Sequence, residues 1–402
     1  MLKRVLLIIT TFILYIFLDQ YLLFPRFEIE SPHPFTGTKF YNPYEGMNFS
    51  NFLLANFHGH TKEWGGLTNG KGNDYEAKRR YDSLGYDVTD LSQYEFLDTL
   101  NESNNSLDVY EHGINLKKTH QLVIGSHSVV WFDYFLPQTL NQKQYVLNLL
   151  AADTNNIIVI NHPNLRNGYT TDDLKYLQNY DYLEGIHPRT QSIAHWDTAL
   201  TYGHPVYIMG NDDYHDIYMD NQLGNCLTML FSHNKSGPSI LSTLRNGNTM
   251  AVKLNQNQTA NLKERAEKIN RLRTLFSSYK LLNDTISLSL NEVASIRWIG
   301  NKGMIKQKDI SSQSMYHLNH NDTYIRTEIL TKDSIEIFLN PIYRVQDDVI
   351  ASRYQRSKQY IKSTPINEAA IKGGKIFFWI LFISVLWKWE YFMIRYKRKY
   401  NP

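Results

Sequence analysis

Phe52-Leu53-Leu54-Ala55-Asn56-Phe57-His58-Gly59-His60-Thr61 is the stretch on which the fold turns. Its apolar first half reads as a short buried strand, and a His-x-His pair closes it. In an extended chain, residues i and i+2 point to the same side, so both imidazoles reach one metal ion from the end of a strand. Alone, the pair is equally well two polar residues at a strand end. Repetition changes the reading. Glu111, His120, His162, Asp213 and His215 also sit just past apolar runs. A barrel of alternating strands and helices collects its strand ends on one face, where catalytic residues gather.

Working outward, β-like and α-like pieces alternate over 46–255, the mark of an α/β domain. A charged helix over 74–84 ends at Gly85, and strands follow at 86–91, 107–110 and 121–124. A helix near 141–152 leads into the β-branched run 157–160, just before Asn161-His162-Pro163. A helix over 172–177 precedes a strand at 182–186. Another strand, 205–209, runs into Gly210-Asn211-Asp212-Asp213-Tyr214-His215, and the last strand, 226–231, is followed by a helix at 239–245. Residues 256–279 are polar with a helical pattern and read as a linker. Beyond them, period-two runs at 285–290, 296–299, 323–330 and 334–339 predict a small antiparallel β unit over 280–345 that packs on the α/β domain.

Composition removes some functions. A net charge of +3 with no basic stripe in the middle of the chain argues against a nucleic-acid partner. The single cysteine, Cys226, rules out an intrachain disulfide and a thiolate metal cluster. The two ends are of another kind. Lys3 and Arg4 precede an apolar stretch, the pattern of a secretory signal peptide or an anchor, and the lack of a small-x-small cleavage site favours an uncleaved anchor over 1–24. Residues 372–394 are long enough for a second span if Lys388 and Glu390 are tolerated, and Trp379, Trp387 and Trp389 suit an interfacial belt. An amphipathic helix lying on the membrane is the alternative. Lys3 and Arg4 at one end, with Arg395, Lys397, Arg398 and Lys399 at the other, put both termini in the cytoplasm. The domain between is then extracytoplasmic.

The polar residues at the strand ends resemble those of the polymerase and histidinol phosphatase (PHP) family of metal-dependent hydrolases. The family's His-x-His-Thr is matched by His58-Gly59-His60-Thr61, its strand-end glutamate by Glu111, and its next histidine by His120. The His-Pro after a buried strand is matched by His162-Pro163. The closing Gly-x-Asp-x-His appears, with one extra residue, as Gly210-Asn211-Asp212-Asp213-Tyr214-His215. The likeness covers 50–255 and implies an irregular (βα)7 barrel with metals at the strand C-termini. It implies that His58, His60, Glu111 and Asp213 hold one ion, and that Glu111, His120 and His162 hold a second, with Glu111 bridging. A carboxylate has two oxygens and can span ions roughly 3.5–4 Å apart. Nitrogen and oxygen donors suit Zn, Mn or Fe. Trp64-Gly65-Gly66 and Thr89-Asp90-Leu91 stand where the family has further ligands, leaving only His215 from a third site, with Asp90 or Glu63 as substitutes to hand. Two divalent ions are expected. The tail, from Tyr324-Ile325-Arg326 to Leu339-Asn340-Pro341-Ile342, is similar to that of members related to carbamate and amide hydrolases.

The reaction so implied is hydrolysis of a small-molecule or envelope-derived substrate, phosphoesters first, by a hydroxide bridging the two metals. Asp213 and Glu111 are the expected catalytic carboxylates, Asp213 also shuttling a proton. Arg189 grips a phosphate or forms a surface salt bridge, and Lys62 binds an anion or is solvated. His187 faces the substrate or, with His127, orients the ligands. Asp212 reads as a turn residue, and His33, His195, His204, His233, His317 and His320 as surface or structural. Amide, ester or carbamate hydrolysis is the alternative chemistry. The alternative of another class is a degenerate metal-binding scaffold or binding protein of the envelope.

Overall fold

Apolar composition at both ends of the chain produces long helices there. The computed structural model describes residues 2–29, 31–97, 107–255, 261–346 and 365–400, in two units. One unit combines Met1–Ile29, Gln138–Tyr145 and Lys362–Pro402. In it the Tyr15 ring of α1 (Leu2–Tyr21) lies 5.1 Å from Phe378 and 5.3 Å from Trp379 of the C-terminal helix, Glu368–Tyr400. Lys375 Nζ stands 2.6 Å from Asp19 Oδ1. Among the described residues, Glu368–Phe392 is the one helix long and apolar enough to cross a membrane. Within α1 the described apolar segment is Ile8–Tyr21. At 1.5 Å per residue it covers roughly 21 Å of a hydrocarbon core about 30 Å thick. Of the two expected spans, the C-terminal one meets the length among the described residues.

Between the terminal helices the elements run β1 (Lys39–Tyr41), β2 (Leu53–Asn56), α2 (Asp74–Leu84), β3 (Val88–Thr89), β4 (Gln93–Tyr94), β5 (Val109–His112), β6 (Gln121–Ile124), α3 (Leu140–Leu150), β7 (Ile157–Ile160), β8 (Tyr182–Ile186), α4 (Ile193–Thr201), β9 (Tyr207–Gly210), β10 (Cys226–Leu230), α5 (Gly237–Asn246), β11 (Thr249–Leu254), α6 (Leu262–Leu272), β12 (Phe276–Leu282), β13 (Thr285–Gly300), β14 (Met304–His317), β15 (Tyr324–Leu330), β16 (Ile335–Leu339) and β17 (Ile342–Val345). Local chemistry sets the boundaries of α2: the Asn73 side chain accepts from Glu76 N, and Gly85 ends the helix at φ 91°.

The second unit, Glu30–Pro137 with Val146–Ile361, holds two sheets. Six strands pair in the order β4-β5-β6-β7-β8-β9. The larger sheet follows β1-β17-β15-β16-β11-β10-β2-β3, with β13 on β15 and both β12 and β14 on β13. The hydrogen-bonded ladders do not close into the ring expected of a barrel. They are also not uniformly parallel. Pairs β2–β3, β4–β5, β7–β8 and β8–β9 are parallel, while β6 runs against both neighbours and β10 against β2. The four isoleucine and valine side chains of β7 are fully buried, each stabilising the core by roughly 1.5–3 kcal/mol.

The C-terminal strands join the sheet that contains β2, because β11 pairs antiparallel with β16. Asn340 locks this junction. Its side chain accepts from Ile208 N and donates to the carbonyls of Gly247 and Thr249, each at 2.9 Å. Fully buried Arg326 holds α4 to β15, with Nε and Nη2 at 2.7 and 2.9 Å from the two Asp197 carboxylate oxygens. Several elements depart from expectation. Asp173–Lys175 is a single tight turn, not a helix, and α4, β11 and β14 had no counterpart in the sequence reading. Of the linker 256–279, residues 262–272 are helical, residues from Phe276 onward are strand, and 256–260 lie outside the described residues.

Candidate metal centre

The end of β2 delivers His58 and His60 to one place because the chain stays extended through Gly59. His60 N donates to Tyr214 O and Asp213 N to His58 O, so the His-x-His segment is laced to the Asp213 loop. The middle residue must be glycine. A Cβ there would sit 1.9 Å from the Tyr214 ring. Two asparagines close the lacing: Asn56 accepts from Asp212 N, and Asn211 accepts from Phe57 N.

Glu111, on β5, stands at the middle and is fully buried. Its Oε1 accepts from His120 Nδ1 and Asn161 Nδ2, both at 2.9 Å, and lies 3.3 Å from His58 Nε2 and 3.4 Å from His162 Nε2. Its Oε2 is 3.1 Å from His60 Nε2. Asp213 Oδ1 faces three ring nitrogens, Nε2 of His58, His60 and His215, at 3.2, 3.4 and 3.5 Å. His162 and Asp213 have φ of 27° and 45°. Such backbone costs of order 1–3 kcal/mol for a residue with a side chain and gathers at functional sites.

Among the described residues, two groups offer donor atoms within 4.8 Å of one another: His58 with Glu111 and His162, and His58 with His60 and Asp213. His120 and His215 border these groups, His120 on Glu111 and His215 stacked on His60 at 4.7 Å. His120 directly precedes β6, as the strand expected at 121–124 places it, and the reversed direction of that strand brings its start to the end of β5, with Gln121 opposite His112.

The donor set passes a chemical test. His58 Nε2, both nitrogens of His60, Glu111 Oε2, His162 Nδ1 and His215 Nδ1 are buried without a hydrogen bond. Each such atom costs about 1–3 kcal/mol. A cluster of them, all lone-pair donors or carboxylate oxygens, fits divalent cations. The charges agree. Burial alone would raise the carboxyl of Glu111, but His120 and His58 hold it well below its ordinary range. Burial likewise opposes ionisation of Asp213, and His58, His187 and His60 hold it well down. Burial disfavours a charged His58, yet Glu184, Asp213 and Glu111 raise its imidazole well above the usual value.

Glu184, inside the apolar run of β8, escaped the sequence reading. Its Oε1 accepts from His58 Nδ1 at 2.8 Å and Asn211 Nδ2 at 3.1 Å, and its Oε2 accepts from His162 N at 3.1 Å. In the neutral ring the proton of His58 therefore sits on Nδ1, which leaves the Nε2 lone pair facing Glu111 and Asp213. His187 does the same for Asp213. Its Nδ1 accepts from Arg189 N, so Nε2 carries the proton that Asp213 Oδ2 accepts at 3.1 Å. Both nitrogens of His187 are thus engaged, and the ring is buried.

The remaining candidates sort by position. Lys62 is solvent-exposed, its Cε 3.1 Å from where a Cβ on Gly66 would be. Arg189 is exposed beside the site, near enough for its charge to bear on Tyr94 and His215. His127 is exposed past the far end of β6, so it orients nothing at the centre. Leu91 is buried in the hydrophobic core, and Asp90 and Glu63 belong to neither metal-capable group. Asp212 accepts from Tyr81 Oη and from the amides of Gly224, Asn225 and Cys226, which makes it a turn anchor.

No family model matches the chain, and no curated protein matches it. A solved structure from Bacteroides vulgatus ATCC 8482, a two-domain protein containing a predicted PHP-like metal-dependent phosphoesterase, is similar at 12% identity. The match covers 76% of this chain and 96% of that one, with a TM-score of 0.37. A likeness that loose assigns no activity.

Proposed function

We propose that this chain is a metal-dependent hydrolase, held at a membrane by its terminal helices, that cleaves phosphoesters at a two-metal centre. The observation that carries the reading is the pair of buried, unbonded nitrogens, His58 Nε2 and His60 Nε2, held against Glu111 and Asp213. His58, His60 and Asp213 would hold one ion, His120 and His162 the other, and Glu111 would contribute one oxygen to each. Bound divalent ions supply Lewis acidity and a nucleophile at neutral pH. The chain's own part is positioning. Glu184 keeps the Nε2 lone pair of His58 facing inward, Asn161 fixes Glu111 by its Oε1, and His187 holds a proton at Nε2 against Asp213 Oδ2. Arg189, at the rim, supplies positive charge for an anionic substrate. On this reading the two sheets are the two sides of the irregular barrel of the family it resembles. Thr228 Oγ1 bonds both backbone groups of Gly210 where the ladder between β9 and β10 is interrupted.

Elemental analysis of purified protein should find close to two ions of Zn, Mn or Fe per chain. The loaded protein should hydrolyse phosphomonoesters or phosphodiesters in preference to aryl esters, amides and carbamates. Three tightly held ions would overturn the two-metal count. Preference for the carbonyl substrates would move the activity to acyl hydrolysis, and metal without turnover across the whole panel would leave the envelope-scaffold reading.

The membrane arrangement is tested separately. The basic clusters at both ends support cytoplasmic termini and an extracytoplasmic site. A reporter after Pro402 should read as cytoplasmic and one inserted near Asn255 as exported. The same compartment from both would overturn the arrangement.

A further inference from the structure

Next to the proposed centre lies a group of large apolar side chains that no part of the hydrolytic reading uses. Trp64, Phe96 and Trp131 are 43%, 36% and 64% exposed, and the Trp64 ring lies 6.1 Å from Phe96 and 5.8 Å from Trp131. The group is wired to the site. The Trp64 indole donates to Tyr94 O at 2.9 Å, and the Tyr94 ring stacks on His60 at 4.3 Å. Leu116 and Phe135, both half exposed, adjoin through the bond from Leu116 N to Phe135 O. Lys118, from the same loop as Leu116, holds its Nζ 5.6 Å from the centre of the Tyr94 ring. Exposed Arg189, whose N donates to His187 Nδ1 at 3.1 Å, is the second cation beside the centre.

Contiguous exposed apolar surface of this kind marks a binding site. Its shape narrows the occupant. Sugar rings stack on flat aromatic faces flanked by polar groups. Here the rings meet edge to face, at 73° and 77°. An irregular hydrocarbon surface fits a flexible hydrocarbon. The cations beside it suit an acidic head group, and a chain with a helix long enough to cross a membrane is held where amphiphiles are found. We infer that the substrate is an amphiphile whose acidic head group enters the centre past Lys118 and Arg189 while its acyl or prenyl tail lies across Trp64, Phe96 and Trp131. The inference rests on the proposed phosphoesterase for the head group and on the aromatic cluster for the tail.

Alkylphosphonates, which are not hydrolysed, separate the two. Binding of methyl- to octylphosphonate would be measured on full-length, metal-loaded protein in nanodiscs, with partition into empty discs subtracted. Affinity should rise about threefold to fourfold per added methylene until the surface is covered. Trp64→Ala with Trp131→Ala should flatten that slope with metal content unchanged, and Lys118→Met should weaken every length alike. A flat series in the parent overturns the tail site, as does a slope that survives in the double variant, or a sugar phosphate that displaces octylphosphonate more effectively than an alkyl phosphate. Methylphosphonate binding with a flat series would leave the phosphoesterase reading standing alone. A tail slope shared by alkyl sulfonates and carboxylates, without preference for phosphonate, would do the reverse.

Discussion

Glu111→Gln is expected to remove at least one metal ion per chain and to lower hydrolysis by orders of magnitude while the fold persists. Glu111 is the residue whose two oxygens face different parts of the donor set, Oε1 toward His58, His120 and His162, and Oε2 toward His60. Glutamine keeps the size but not the charge, so repulsion between two cations is less compensated. The acid side gives a second reading on metal-free protein. A carboxyl held below its ordinary pKa contributes stability above the ordinary carboxyl range, and loses it as pH falls through its folded value. Metal-free parent should therefore lose melting temperature on acidification below about pH 4.5 more steeply than the variant, whose remaining slope comes from the other lowered carboxyls, Asp213 and Glu184 among them. A surface acid at a strand end would change stability by about half a kcal/mol or less and leave metal and turnover alone. That outcome would remove the bridging role.

What the sequence made legible follows from where the physics is local. His58, His60, Glu111, His162 and Asp213 could be found because each closes a short apolar run, and the His-x-His spacing alone puts two rings on one side. Strand direction is not local. Four-residue β6 has no feature that says it runs backwards, and the role of His120 depends on that reversal. Glu184 was hidden for a related reason: a single acid within Tyr182–Ile186 looks like an interruption of a buried strand until its partners arrive from β2 and the loop after β7. In the C-terminal part, the polar pair Asn291-Glu292, between the runs 285–290 and 296–299, reads as a turn. The structure carries β13 straight through it with a register shift between Ser289 and Ala294. Strand β14 was invisible because its first half is exposed or half-exposed on both faces, so no alternation of apolar residues reports it. The length of a membrane span is local again, which is why Glu368–Phe392 was readable.

Glu184→Gln should lower metal affinity by about 10–100-fold without touching a metal-ligand atom. The carboxylate gives Oε1 to His58 Nδ1 and Asn211 Nδ2, and Oε2 to His162 N. An amide can keep an oxygen toward the first two only by turning its NH2 onto the His162 amide, donor against donor. Each unmade bond there costs about 1–3 kcal/mol, so melting temperature should fall as well. A drop in stability would follow from any buried acid, and the pH dependence of metal uptake separates positioning from bulk. Burial works against a charged His58, and Glu184 is the first of the carboxylates that raise it despite that. While His58 is protonated at Nε2 the metal must displace that proton, so the affinity of the parent should climb with pH through the raised value of His58. Without the Glu184 charge the imidazole falls back toward its ordinary range, and the climb should end at lower pH even though the plateau is weaker. Glu184→Asp keeps the charge but withdraws it by one methylene, and should shift the profile less than glutamine does. A variant that melts earlier yet binds metal with the parent's affinity and pH profile would make Glu184 a packing residue, and the orientation of His58 would then have to come from the backbone of β2 alone.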